Sequence, residues 1–276
     1  MTECGLQSLE TDEADVRHHI RTALFFCALI SVLVAVRPVM RATGQTPQAP
    51  AAPRVKALLI ASGAFHDYGH QSRVLVEAVN KALPVDWTIA LQGSANGTNT
   101  RYPVYDRADW AAGFDIVIHN ECSADVADPV FIRRITEAHR NGGVPAMVIH
   151  CSMHSYRAAQ VDDWRELLGV TTRMHTPQFR IPVKWSETGH PVTKGLQPGW
   201  VTPMDELYVI EKFWPGSHAL ASAIDPRTSR EHPVAWTNDF NGVRVFGTTL
   251  GHGNATWDDP IYQDLLVRGF TWAIGR

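Results

Sequence analysis

Four segments of this chain carry histidine at the end of a short apolar run. "GAFHDYGH" holds His66, Asp67 and His70. "IHNEC" holds His119, Asn120, Glu121 and Cys122. "VIHCSMHSYR" holds His150, Cys151, His154, Tyr156 and Arg157, and "TTLGHGN" holds His252 and Asn254. Neutral imidazole with a carboxylate is a donor set that suits a divalent metal such as zinc. His66, His150, His154 and His252 are the candidate metal ligands, and with Glu121 they form the candidate catalytic set. The pairs His66/His70 and His150/His154 are spaced i, i+4, which on an α-helix puts two rings on one face. Neither pair has Glu directly after the first His, so neither is the zinc-protease pattern. A bound metal would polarise a carbonyl or activate water. Without one, the same groups would act as acid and base. A lone strand-end histidine is ordinarily a hydrogen-bonded structural residue, and it is the recurrence at four ends that points to a site.

Cys151 offers another chemistry. A cysteine past a strand and near a helix start has a lowered pKa and is a better nucleophile, with His154 or His252 as its base. A strict nucleophile elbow needs small neighbours, whereas His150 and Ser152 flank Cys151. The bland alternative is a buried small residue. Cys122 also lies past an apolar run, so a Cys122–Cys151 bridge is geometrically open.

The positioning elements are legible as periodicities. "VKALLIA" (55–61), "VDWTIA" (85–90), "FDIVIH" (114–119) and "PAMVIH" (145–150) are short apolar runs. They start about thirty residues apart, the length of a strand–helix–strand unit. Runs without polar alternation predict strands covered on both faces, as in a parallel sheet. Helical spacing recurs in 71–83, in the stretch around Phe131–Ala138 stopped by Asn141-Gly142-Gly143, in 164–169 and in 258–276. Residues 91–113 predict a long loop with a short helix. The second half adds strands at 179–185, 206–210, 219–224, 233–236 and 243–250, with Asn241-Gly242 turning the last hairpin. In an open parallel sheet ligands bind beyond the carboxyl ends of the strands, where the histidines fall.

The remaining features bound the protein. With 276 residues, 45% hydrophobic and 19% charged, the chain can bury a large core. A net charge of −3 offers no basic excess for a phosphate backbone, so nucleic acid is not an expected partner. Residues 1–44 combine basic positions, the apolar run "TALFFCALISVLVAV" and small residues. They read as a signal peptide or an uncleaved membrane anchor of an exported protein, and Cys4 and Cys27 fall within them. Residues 45–54 are a Pro/Ala-rich linker, and 55–276 form the folded domain.

"HPVTKGL" (190–196), "DELYVI" (205–210), "HPVAW" (232–236), "RVFGTTLGH" (244–252) and "GFTWAIG" (269–275) occur in an order that resembles ThuA-like proteins, the trehalose-utilisation family. The resemblance covers residues 55–276. It implies an α/β three-layer sandwich, flavodoxin-like, of the class I glutamine amidotransferase-like superfamily. Its sheet would be mostly parallel with added antiparallel strands. It also implies carbohydrate chemistry on a disaccharide, glycoside or 3-keto-sugar derivative, with a functional link to a sugar oxidoreductase. In true class I amidotransferases the strand ends in apolar residues, Gly, Ile or Val, then the nucleophilic Cys. Laid from Pro145, that Cys position falls on His150 rather than Cys151. A histidine-based hydrolase or lyase is therefore the leading expectation. A cysteine-dependent hydrolase of amidotransferase type and a non-catalytic sugar-binding or scaffold module stand as alternatives. Asp205 and Glu206 of "DELY", His119, Tyr156, Arg157 and Asn254 are the candidate substrate-binding residues: carboxylates for sugar hydroxyls, Arg for a carbonyl or anion, Tyr for stacking.

Overall fold

The computed structural model describes residues 53–92 and 97–276. The expected leader or anchor, and most of the linker, lie outside the described residues. Among those described, no helix is long and apolar enough to cross a membrane.

The expected parallel strands are present as β1 (Val55–Gly63), β2 (Val85–Leu91), β3 (Ile116–Cys122) and β4 (Ala146–Ile149). The second half supplies β5 (Val170–His175), β6 (Phe179–Pro182), β7 (Lys184–Trp185), β8 (Val201–Asp205), β9 (Tyr208–Phe213), β10 (Ser217–Ile224), β11 (Glu231–Phe240) and β12 (Val243–Thr248). Eight strands form one sheet in the order β2-β1-β3-β4-β12-β11-β10-β7. Its first five strands are mutually parallel and the last three antiparallel. Asn241 (φ 54°) and Gly242 (φ 84°) make the β11–β12 turn, both in the left-handed region such a tight hairpin requires. Two small ladders, β5–β9 and β6–β8, stand apart from this sheet. Strands β5 and β8 escaped the sequence reading because "VTTRMH" and "VTPMD" carry neither a continuous apolar run nor clean alternation.

The apolar runs bury both faces because successive side chains point to opposite sides. Ala57, Leu59, Ile116, Ile118 and Ile149 join one core, beneath α1 (Tyr68–Ala82) and α5 (Pro260–Ala273). Leu58, Ile60, Val117 and Val148 join the other, beneath α2 (Pro129–Gly142) and α3 (Asp163–Leu168). Fully burying one such aliphatic side chain is worth roughly 1.5–3 kcal/mol, which holds both helical layers on the sheet. Aspartate caps fix where two of the helices begin. Asp128 accepts hydrogen bonds from the Val130 and Phe131 amides, and Asp259 from those of Ile261 and Tyr262, each with proline at the first helical position. A one-turn helix, α4 (Asn254–Trp257), precedes α5.

The strand ends deviate from expectation in a way that decides chemistry. β3 runs on to Cys122, so His119 and Glu121 lie inside the strand. Their side chains share the face of Val117, under α2, while Cys122 joins the opposite core. There the Tyr105 hydroxyl donates to Glu121 Oε1 at 2.6 Å, and His119 Nδ1 lies 3.0 Å from the same oxygen. His119 Nε2 meets His139 Nε2 at 2.9 Å, and His139 Nδ1 donates to the Val144 carbonyl at 2.7 Å. Because His139 Nδ1 carries its proton, His119 Nε2 must be the donor between the two rings. His119 and Glu121, expected in a substrate pocket, instead form a sealed hydrogen-bonded chain with both side chains 0% exposed.

That chain predicts acid sensitivity. Burial, then the neighbouring His119, push His139 down to about 3. Between that value and the ordinary 6.5 the unfolded chain binds the extra proton, so stability falls as pH drops. The part owed to His139 between pH 6.5 and 5 is about 1.5 kcal/mol. Urea midpoints at the two pH values measure the loss, and His139→Gln should flatten it. An equal slope in parent and variant would remove His139 as the cause.

Candidate functional site

Four strand ends of the large sheet, the end of β5 and one inter-strand link converge at the sheet's carboxyl edge. His66 follows β1, Cys122 ends β3, His150 follows β4, His175 ends β5 and His252 follows β12, while Glu206 links β8 to β9. They border or underlie a cavity of about 310 Å³ whose wall includes His66, His154, His175, Glu206, Tyr208 and His252. Phe65 and Arg157 stand at its exposed margin. A larger groove of about 870 Å³ along α2 shares no residue with it and contains no histidine.

His150 occupies the sharp turn between β4 and the 3-10 segment His150–His154, with φ of 46°. A side chain in this left-handed conformation costs about 1–3 kcal/mol, a strain concentrated at functional sites. This is the strand-to-helix elbow where hydrolases place a nucleophile, and here it presents imidazole. His150 Nδ1 donates to the Thr249 carbonyl at 2.7 Å, which leaves the Nε2 lone pair facing the site. His66 Nδ1 likewise donates to the His252 carbonyl at 3.2 Å. Burial, then the proximity of His252, hold His66 down to about 4, and burial, then His66, push His150 well below the usual range. Both rings are thus neutral near pH 7.

His252 completes the trio. One ring nitrogen from each of His66, His150 and His252 lies within 4.8 Å of the others. Glu206 Oε2 faces them, 3.2 Å from His252 Nδ1, 3.7 Å from His150 Nε2 and 3.5 Å from His175 Nδ1. The buried His252 Nδ1 is off the axis of a good hydrogen bond to that carboxylate, which nevertheless raises the histidine pKa. Three imidazoles, two of them tethered through Nδ1 to backbone carbonyls, could hold zinc or a similar divalent ion. Outer-shell bonds of this kind fix the tautomer and aim of metal-binding histidines.

Asp205 does not line the cavity. It is fully buried, and its Oδ1 accepts from the Glu206 and His252 amides at 2.8 and 3.1 Å. Its Oδ2 accepts from the Gly251 amide at 2.9 Å. Gly251 has φ of 115°, and a Cβ there would collide with the Tyr262 hydroxyl. The carboxylate therefore holds the turn that carries His252.

Other expected residues also fall elsewhere. His154 lies outside the trio. A 3-10 turn advances by three residues per turn, so i and i+4 diverge by about a third of a circle instead of sharing a face. Its ring stacks on Tyr208 with centroids 4.2 Å apart, forming a wall of the cavity. Tyr156 is only 2% exposed and turns into the core beneath α2, and it does not line the cavity. Asn254 donates to Asp67 Oδ2 at 2.9 Å, and His70 pairs with Asp258 at 2.7 Å, both outside the cavity. Cys151 is bonded to Cys122, with Cα atoms 5.1 Å apart, which removes the cysteine nucleophile in this state. Of the candidates, Arg157, Glu206, His66 and His252 border the cavity, with His150 behind them. His175, Tyr208 and Phe65 were missed as site residues. The strand-end rule would have found His175 had β5 been recognised.

The profile of the ThuA family, described as trehalose utilisation, matches residues 57–273. The chain belongs to the ThuA family. A ThuA-like protein from Parabacteroides merdae aligns at 19% identity and a TM-score of 0.61, over 81% of this chain and 91% of that one. One from Bacteroides uniformis aligns at 18% identity and 0.62, over 83% and 95%. A cytoplasmic protein from Salmonella typhimurium aligns at 14% identity and 0.53, over 79% and 99%. Comparison with curated proteins gives no match. At these identities the likeness establishes the ThuA fold, the glutamine amidotransferase-like α/β sandwich, and nothing finer.

Proposed function

We propose that this protein is a carbohydrate-active hydrolase or lyase working at the His66–His150–His252–Glu206 cluster. Its substrate would be a disaccharide, a glycoside or a 3-keto-sugar derivative. The observation that carries this reading is the meeting of the His66, His150 and His252 rings within 4.8 Å of one another, two of them fixed by backbone carbonyls, with the Glu206 carboxylate beside His150 and His252. The family's trehalose-utilisation description supports the substrate class. A divalent ion such as zinc, held by His66, His150 and His252, would polarise a carbonyl or activate water.

The chain's own groups have distinct parts. Glu206 takes the proton from the carbon beside a sugar ketone and shares it with His252. The electrons of that C–H bond form a double bond, the bond from the next carbon to the glycosidic oxygen breaks, and that oxygen takes up the proton held by His252 and departs as the alcohol. Arg157 presents its guanidinium to the carbonyl oxygen or to an anionic substituent. A sugar oxidoreductase would supply such a ketone, since it arises by oxidation of a ring hydroxyl. The segment 1–44 would export the protein or tether it to a membrane.

Phe65 offers a face for the sugar ring. It is 73% exposed and has φ of 76°, an unusual backbone for a bulky residue that projects the ring at the pocket mouth. Phe65→Ala should raise KM about fivefold, or about 1 kcal/mol, with kcat little changed. Steady-state kinetics checks this, and an unchanged KM would remove Phe65 from the binding surface.

The deciding experiment is elemental analysis of the purified full chain beside a His66→Ala/His252→Ala variant, with assay of both on 3-keto-glucosides. About one divalent ion per chain and turnover, both lost in the variant, are expected. Absence of both bound metal after reloading and sugar turnover would overturn the proposal. Saturable sugar binding without turnover would instead establish the binding-module alternative.

A further inference from the structure

We propose that reduction of the Cys122–Cys151 disulfide creates a second metal site, made of two thiolates and the His66 imidazole. This site shares His66 with the three-histidine cluster but does not depend on that cluster being a metal centre. A sulfur from each cysteine and a ring nitrogen of His66 lie within 4.8 Å of one another. All three residues are buried, at 2%, 6% and 8% exposure for Cys122, Cys151 and His66. The two cysteines also border the 310 Å³ cavity, so an ion has a path to them.

The frame that holds the cysteines does not rely on the sulfur bond. The Ser152 hydroxyl donates to the His119 carbonyl at 2.7 Å and accepts from the Glu121 amide at 3.3 Å. The Ser155 hydroxyl donates to the Glu121 carbonyl at 2.8 Å and accepts from the Ser123 amide at 3.0 Å. These four bonds tie the end of β3 to the 3-10 turn on both sides of the disulfide. On the other flank Gly63 packs so closely that a Cβ would lie 2.5 Å from the Cys122 carbonyl oxygen. The Cα atoms are held 5.1 Å apart. From there the two thiolates can open to the spacing that metal–sulfur bonds of about 2.3 Å demand.

The chemistry balances simply. A dithiol reductant gives two electrons, breaks the sulfur–sulfur bond and leaves as its own cyclic disulfide. The chain gains two thiols. A divalent ion then binds both sulfurs as thiolates and displaces their two protons to solvent. Thiolates are softer than imidazoles, so the reduced site prefers zinc and also takes cuprous copper, whereas the oxidised chain offers only imidazole nitrogen and carboxylate oxygen. The thiol state would therefore decide which ion the pocket holds and whether His66 serves one donor set or the other.

Cobalt(II) is the probe. The full chain is reduced with a phosphine, desalted under argon and titrated with cobalt, and the near-ultraviolet thiolate-to-cobalt band is recorded. The band should appear at about one ion per chain in the reduced parent and in reduced His150→Ala/His252→Ala. It should be absent from the oxidised parent and from Cys122→Ser/Cys151→Ser. Reduction should tighten cobalt binding at least tenfold. Circular dichroism establishes that each sample is folded. No thiolate band in a folded, fully reduced parent would overturn the proposal, as would a band that survives His66→Ala undiminished in affinity. Cobalt bound by the serine variant without the band reports the three-histidine cluster separately, so the two readings fail independently.

Discussion

His150→Ala is expected to weaken divalent-metal binding by more than about 100-fold and to abolish turnover, while the chain still folds. The variant deletes the candidate ligand whose backbone is committed to the elbow, at φ of 46°. Outer-shell changes alone weaken metal sites roughly 10–100-fold, so loss of a ligand itself should exceed that range. The same change leaves the buried Thr249 carbonyl without its 2.7 Å partner and opens a small void. Together these should lower stability by about 2–3 kcal/mol, or a Tm decrease of roughly 5–10 °C. His150→Asn separates the two effects, because asparagine tolerates the left-handed backbone. It should recover part of the stability and none of the metal. Elemental analysis with a thermal melt on each variant reads both quantities. Full metal occupancy in His150→Ala would end the assignment of this residue.

Asp205→Ala should be the most destabilising single change near the site. The carboxylate accepts three backbone amide hydrogen bonds at once, from Gly251, His252 and Glu206. Burial raises its pKa, and these amides offset that effect by favouring the charged form. Alanine orphans all three N–H groups in a buried place, each worth about 1–3 kcal/mol, for a total loss of at least about 3 kcal/mol. Asp205→Asn keeps one oxygen for two of the amides and sets an NH2 against the third. It should lose roughly half as much and leave the fold intact, with activity reduced because the turn carrying His252 is loosened. Urea denaturation of the two variants gives the ranking. Equal stability of parent and alanine variant would show that water satisfies the amides and that Asp205 does not hold the turn.

The contrast between Glu121 and Glu206 shows why some of the site was legible and some was not. Both are acidic residues beside a predicted strand. β3 continues past its apolar run, which turns His119 and Glu121 beneath α2. β8 is not visible in the sequence, so Glu206 reads as the first residue of the 206–210 strand and not as a link between two strands. In the same way His150 and His154 look like a helical pair by count, yet the turn between them is 3-10 and sends only His150 to the cluster.

Local periodicity was enough to define the parallel strands, the covering helices and the carboxyl edge at which histidines gather. It consists of a two-residue repeat in strands, about 3.6 residues per helical turn, and caps that end each element. Packing in three dimensions settled the rest: which face each strand-end residue takes, that Cys122 meets Cys151, that Asp205 binds backbone and that Glu206 faces three imidazoles. These outcomes turn on where a strand stops and how tightly the next turn winds. Hydrogen bonds between residues far apart in the chain set both, such as His150 to Thr249 and Asp205 to Gly251, and no local pattern encodes them.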